Sequence, residues 1–146
     1  MESLTRQQAS DWCQAHGIAL DERGRPDRPG AAAVFDIPVD SGARVALVAG
    51  QAQAFQNSRE TLLWFTDWSV WPSSERPHIF TRFRASYGET RRLGDIPAHL
   101  FAAAEYEDAV SFVTLGALFL WDVFLVGSEG RPMLFYSHDE WGWLVE

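Results

Sequence analysis

The chain has 146 residues, 47% of them hydrophobic and 22% charged, a composition that buries enough apolar surface for one core and excludes a disordered chain. Its formal charge of −8 disfavours nucleic acid, whose binding needs basic surface against phosphates; it favours a basic protein face or a cation, although an acidic surface also serves plain solubility. All 12 basic residues are arginines, which excludes lysine chemistry such as a Schiff base or a phosphate-loop lysine.

The charge is uneven along the chain. Residues 1–94 hold 11 acids and 11 arginines, whereas residues 95–146 hold nine acids against Arg131 alone. Cys13 is the single cysteine, so no internal disulfide forms, and the start MESLTRQQASDW lacks the basic flank and apolar stretch of a secretory signal. The cytoplasm is the expected compartment.

A first helix is predicted over Leu4 to His16, with Ser3 as N-cap and Gly17 ending it. The stretch DERGRPDRPG, residues 21–30, reads as a mobile surface loop. Ala32–Val39 and Ala43–Val48 flank Asp40-Ser41-Gly42 and read as a hairpin. Residues 51–58 read as a loop or helical turn, and Glu60 to Trp71 as a third strand with Thr61, Leu63 and Phe65 on one face and Leu62, Trp64, Thr66 and Trp68 on the other.

A second helix is expected to open at Ser74 with Pro77 in its first turn and to end at Gly88, turning Ile79, Phe80, Phe83 and Tyr87 inward and Arg76, Arg82 and Arg84 outward. Residues 97–102 read as a short strand, and Tyr106–Leu118 as a helix with acids in its first turn. The apolar run from Val110 to Val126 divides better into a helix end and a strand than into one membrane span, because Asp122 would lie within it. Trp121–Val126 and Arg131–Ser137 form a hairpin; a four-residue loop would set Trp121 opposite Tyr136. Ser137-His138-Asp139-Glu140 resembles a capping box opening a short last helix. Hairpins and helices in this order predict a single α+β domain with a largely antiparallel sheet.

Candidate chemistry is scattered. His138-Asp139-Glu140 groups three proton-handling residues after a strand. Asp122 is the odd charge in an apolar strand: a buried carboxylate of raised pKa, or one at the exposed strand start or paired with an arginine. Cys13 and His16 are three apart on a helix and within reach of each other, but no third group or oxyanion donor accompanies them. No metal or cofactor is expected, since His78, His99 and His138 show no zinc-ligand spacing. Seven tryptophans exceed what one small core needs, so some should be exposed; Trp64, Trp68 and Trp71, with Phe65 and nearby arginines, form a hot-spot composition or else core packing.

The segments WFTDW, VWPSSE and RFRASYG within residues 64–88, with PAHLF (97–101) and SHDE (137–140), resemble an uncharacterised bacterial protein family with WPSSE, SYG, GHLF and HDE segments. The resemblance covers about half the chain, and Ala98 stands where that family has glycine. It implies bacterial origin and no activity.

The leading functional expectation is therefore a non-enzymatic protein-binding module, possible in the form of an immunity-type protein against a basic partner. One alternative is a small-ligand binder or enzyme with an aromatic pocket, lined by Trp68, Trp71 and Tyr87 with Glu75, His78 and His138; another is a homodimer. Candidate binding residues are Trp64, Trp68, Trp71, Glu75, His78, Arg82, Tyr87, His138 and Asp139.

Overall fold

The computed structural model of the chain describes residues 1–68, 78–119 and 121–146. The elements run β1 (Glu2–Leu4), α1 (Arg6–Ala15), β2 (Ala33–Asp36), α2 (Ser41–Ala52), β3 (Glu60–Asp67), α3 (His78–Ser86), β4 (Ala98–Ala102), α4 (Tyr106–Leu118), β5 (Asp122–Gly127), β6 (Met133–Tyr136) and β7 (Trp141–Val145). The strands form one antiparallel sheet in the order β1-β4-β3-β5-β6-β7-β2. The α+β class with a largely antiparallel sheet is thus the observed one.

Alternation along the strands sends side chains to two layers. On one face Leu62, Trp64, Phe124, Val126 and Trp143 pack under α1, which contributes Ala9 and Cys13. On the other, Leu63, Phe65, Val123, Leu125 and Tyr136 meet Val48 of α2, Phe80 of α3 and Phe112 and Val113 of α4. Each large side chain buried here contributes roughly 1.5–3 kcal/mol. The Val110–Val126 run is helix end plus strand, and no helix among the described residues is long and apolar enough to cross a membrane.

Several local expectations are corrected. Ser3 lies in β1, and Thr5 caps α1: its Oγ1 accepts from Gln8 N–H at 3.2 Å while the Gln8 side chain accepts from Thr5 N–H at 2.9 Å. The buried residues of α1 are Ala9, Ser10 and Cys13.

Residues 40–48 are no hairpin. Asp40 accepts from Ala43 N–H at 2.8 Å and starts α2, so the turn residues act as a helix cap and only β2 remains as strand.

The β5–β6 pairing sets Val123, not Trp121, opposite Tyr136, because the connection is longer than four residues: Val126 pairs with Met133. Residues 141–145 form a strand instead of a helix. Glu140 has φ +62°, outside helical space, and closes a three-residue connection whose last position is left-handed.

The loop expected to be mobile is knitted together. Asp21 Oδ1 accepts from the N–H groups of Arg23 (2.8 Å) and Arg25 (2.9 Å), its Oδ2 holds the Arg25 guanidinium, and Ser10 Oγ donates to Gly24 O at 2.9 Å. Partial burial pushes the Asp21 carboxyl up, but the bonds and charge of Arg25 hold it below its ordinary value.

Candidate functional site

Asp122 begins β5, and the turn after β6 brings Ser137 to Glu140 past its carboxylate. Its Oδ1 accepts from the backbone N–H of His138 and from His138 Nδ1, both at 2.7 Å. Asp122 is buried and His138 half-buried. Burial pushes the imidazole pKa down, yet the hydrogen bond and charge of Asp122, joined by Asp139 and Asp67, raise it above its ordinary value. Asp139 Oδ1 lies 3.5 Å from His138 Nε2. Asp67 comes near because a register shift after Phe65 sets it opposite Asp122.

The turn is held from behind by α2. The buried Arg44 donates from Nε to Pro38 O (2.9 Å), from Nη1 to Ala117 O (3.3 Å) and from Nη2 to Glu140 Oε1 (3.2 Å). Ile37 N–H donates to Glu140 O at 2.8 Å. Asp139 N–H donates to Ser137 Oγ at 3.2 Å, which occupies that hydroxyl as an acceptor.

Beside this turn the strand register builds an aromatic rank. Phe124 pairs with Phe135, and Phe135 with Trp143, so the three rings project from one face of neighbouring strands, with ring centroids 4.5 Å (Phe124 to Phe135) and 6.0 Å (Phe135 to Trp143) apart. Trp141 stands edge-on to Phe135 at 5.7 Å. The loop 21–28 lies on the same side, and an open cleft of about 370 Å³ is lined by Arg23, Arg25 and Arg28, the aromatic rings, Asp122, His138 and Asp139. Arg25 is committed to Asp21. Arg23 and Arg28 are exposed and have no ion-pair partner among the described residues.

Of the residues singled out in the sequence, His138 and Asp139 line this cleft and Asp122 joins them, partnered by a histidine rather than an arginine. The others stand elsewhere. Trp64 is fully buried, so its ring offers nothing to a partner. Trp68 is half-buried and packs with the Leu63 and Phe65 side of the sheet, because the register shift after Phe65 reverses its face. Tyr87 donates to Asp108 at 2.8 Å, and His78 and Arg82 are exposed on α3. Trp71, Ser74, Glu75, Arg76 and Pro77 lie outside the described residues.

Among the described tryptophans Trp64, Trp121 and Trp143 are buried, and Trp12, Trp68 and Trp141 half-buried, while Trp71 lies outside the described residues. Arg84, expected on a solvated face, is 2% exposed. Cys13 and His16 do not pair; burial pushes the Cys13 thiol up to about 12, and His16 stacks on Trp12 at 4.1 Å.

Most acids of the last third have partners within the chain. Glu105 meets the N-terminal ammonium, Asp108 the Tyr87 hydroxyl, Asp122 the His138 ring and Glu140 the Arg44 guanidinium.

Chemically, the cleft offers an imidazole stabilised in its charged form, two arginines without ion-pair partners among the described residues, a carboxylate at Asp139 and the half-buried Trp141 ring backed by the buried Phe124, Phe135 and Trp143. Such a mixture of apolar surface with a few placed polar groups is what ligand pockets of this size share. No protein-family model matches the chain, and no curated protein or solved structure is significantly similar to it.

Proposed function

We propose that the protein binds a small ligand in the cleft between the loop 21–28 and the ends of β5, β6 and β7. The observation that supports this reading is convergence: residues from four chain segments bring the Asp122–His138 pair, the arginines and the aromatic rank into one concavity. A purely structural aromatic rank would not need Arg23 and Arg28 beside it without ion-pair partners among the described residues. The basic protein partner expected from composition ranks second, since six of the nine acids in the last third, Glu105, Asp108, Asp122, Glu129, Asp139 and Glu140, are engaged within the chain. The homodimer through an aromatic surface has less support still, as no described tryptophan is exposed.

A fragment screen read by the indole N–H signals of Trp141 and Trp143 in a nitrogen-15 NMR spectrum tests the proposal. Saturable shifts confined to those indoles and to residues 21–28 and 137–139, lost in Trp141→Ala, are expected. A screen in which no fragment moves these signals removes the reading.

A further inference from the structure

The charges of the cleft are sorted by wall. The loop brings Arg23, Arg25 and Arg28 against Asp21 and Asp27, a surplus of one positive charge; the strand ends bring Asp122 and Asp139 against His138, a surplus of one negative charge even when the imidazole is protonated. Two internal pairs then drop out. Arg25 and Asp21 are joined by a two-point hydrogen bond, and Asp122 is taken up by His138. The charges that face a ligand are Arg23 and Arg28 at the loop, tempered by Asp27, and at the strand ends Asp139, which is exposed although its Oδ1 lies 3.5 Å from His138 Nε2. Between the walls the surface is aromatic, with Trp141 its most accessible ring.

A purely anionic ligand would meet Asp139 and Asp27 as well as the arginines, and a purely cationic one would meet Arg23 and Arg28, so each loses in repulsion part of what it gains. A ligand carrying both charges, separated by a flat apolar group, matches both walls and the floor together. Guanidinium groups also hold a carboxylate in a fixed two-point geometry, which a lone ammonium does not. Resting on the reading of the cleft as a ligand site, we infer that its ligand class is a small zwitterion with a planar ring, of the aromatic amino-acid type: carboxylate toward Arg23 and Arg28, ammonium toward Asp139, ring against Trp141.

Three probes separate this from single-charge recognition. L-phenylalanine carries both charges, N-acetyl-L-phenylalanine only the acid, and phenethylamine only the amine. Titrated into the full chain and followed by the Trp141 and Trp143 indole signals, L-phenylalanine is expected to bind at least about tenfold more tightly than either analogue. Asp139→Asn should erase its advantage over the acid, and Arg23→Gln with Arg28→Gln its advantage over the amine. Equal affinity for the three probes overturns the inference, as does response to none of them. In that last case, hits in the fragment screen would leave the cleft standing as a ligand site, whereas an empty screen would remove both.

Discussion

Arg84 Nε donates to His99 Nε2 at 3.2 Å, inside the protein, with Arg84 2% and His99 0% exposed. The imidazole therefore accepts at Nε2 and carries its proton on Nδ1, which lies 3.4 Å from Ser3 Oγ. The same guanidinium donates to Arg91 O (3.0 Å) and Ile96 O (2.9 Å), so one side chain ties α3 to β4 and to the segment between them.

Replacing Arg84 by methionine leaves two carbonyls and a ring nitrogen without their donor. The expected loss is about 3 kcal/mol in urea denaturation. Arg84→Lys should recover less than half of it, because an ammonium cannot span the three acceptors of a planar fork. Parent-like stability in Arg84→Met would show the network to be dispensable.

His99 and His138 should give stability slopes of opposite sign. Burial, then the charge of Arg84, lowers the His99 pKa from 6.5 to about 3. Below pH 6.5 the unfolded chain takes up a proton that the folded chain refuses, so stability falls with acid until about pH 3. His138 is raised above 6.5; its contribution is complete below that pH and is lost as pH rises through the higher folded value. Urea midpoints from about pH 3 to pH 9 should show the acid slope shrink in His99→Gln and the alkaline one in His138→Gln.

Cys13 is 0% exposed, and its thiol is pushed up to about 12 by burial. A disulfide reagent at neutral pH should label it only as fast as the protein opens, and labelling should become immediate in urea. Rapid labelling of the folded chain would contradict this burial.

Glu140 combines φ +62° with the ion pair to Arg44. Glu140→Ala keeps the unfavourable backbone and drops the pair, for an expected loss of about 1 kcal/mol; in Glu140→Gly the relief of roughly 1–2 kcal/mol that glycine brings at left-handed φ should cancel or exceed it. Thermal denaturation of both variants reads the difference. If glycine is as costly as alanine, the backbone at this position is not strained.

Much of the fold was legible where one period dominates. Thr61 to Phe65 alternate cleanly, and Tyr106–Leu118 coincides with its expected helix, since an acidic first turn and an apolar end leave no competing reading. The failures share a cause: short polar motifs that serve two purposes. Asp40-Ser41-Gly42 suits a turn or a cap, and α2 decides it by laying Val48 on the core; Ser137 to Glu140 suits a cap or a tight connection, and the strand pairing of Trp141–Val145 decides that. The cleft was half visible. His138, Asp139 and Asp122 drew attention singly, but their meeting depends on the β5–β6 register, and the Phe124, Phe135 and Trp143 rank on a register across three strands. Nothing in DERGRPDRPG says which surface the loop will cover.

The strand order has a consequence for how the molecule comes into being. Among the described residues β2 finds its only strand neighbour in β7, and β1 in β4, so each edge strand waits about a hundred residues for its partner, a separation that slows assembly. Residues 1–73 therefore leave the ribosome with strands that cannot yet pair, exposed to misassociation until β4 and β7 follow. The walls of the cleft stand on both sides of that interval, so the candidate site cannot form until the residues of β7 have been made.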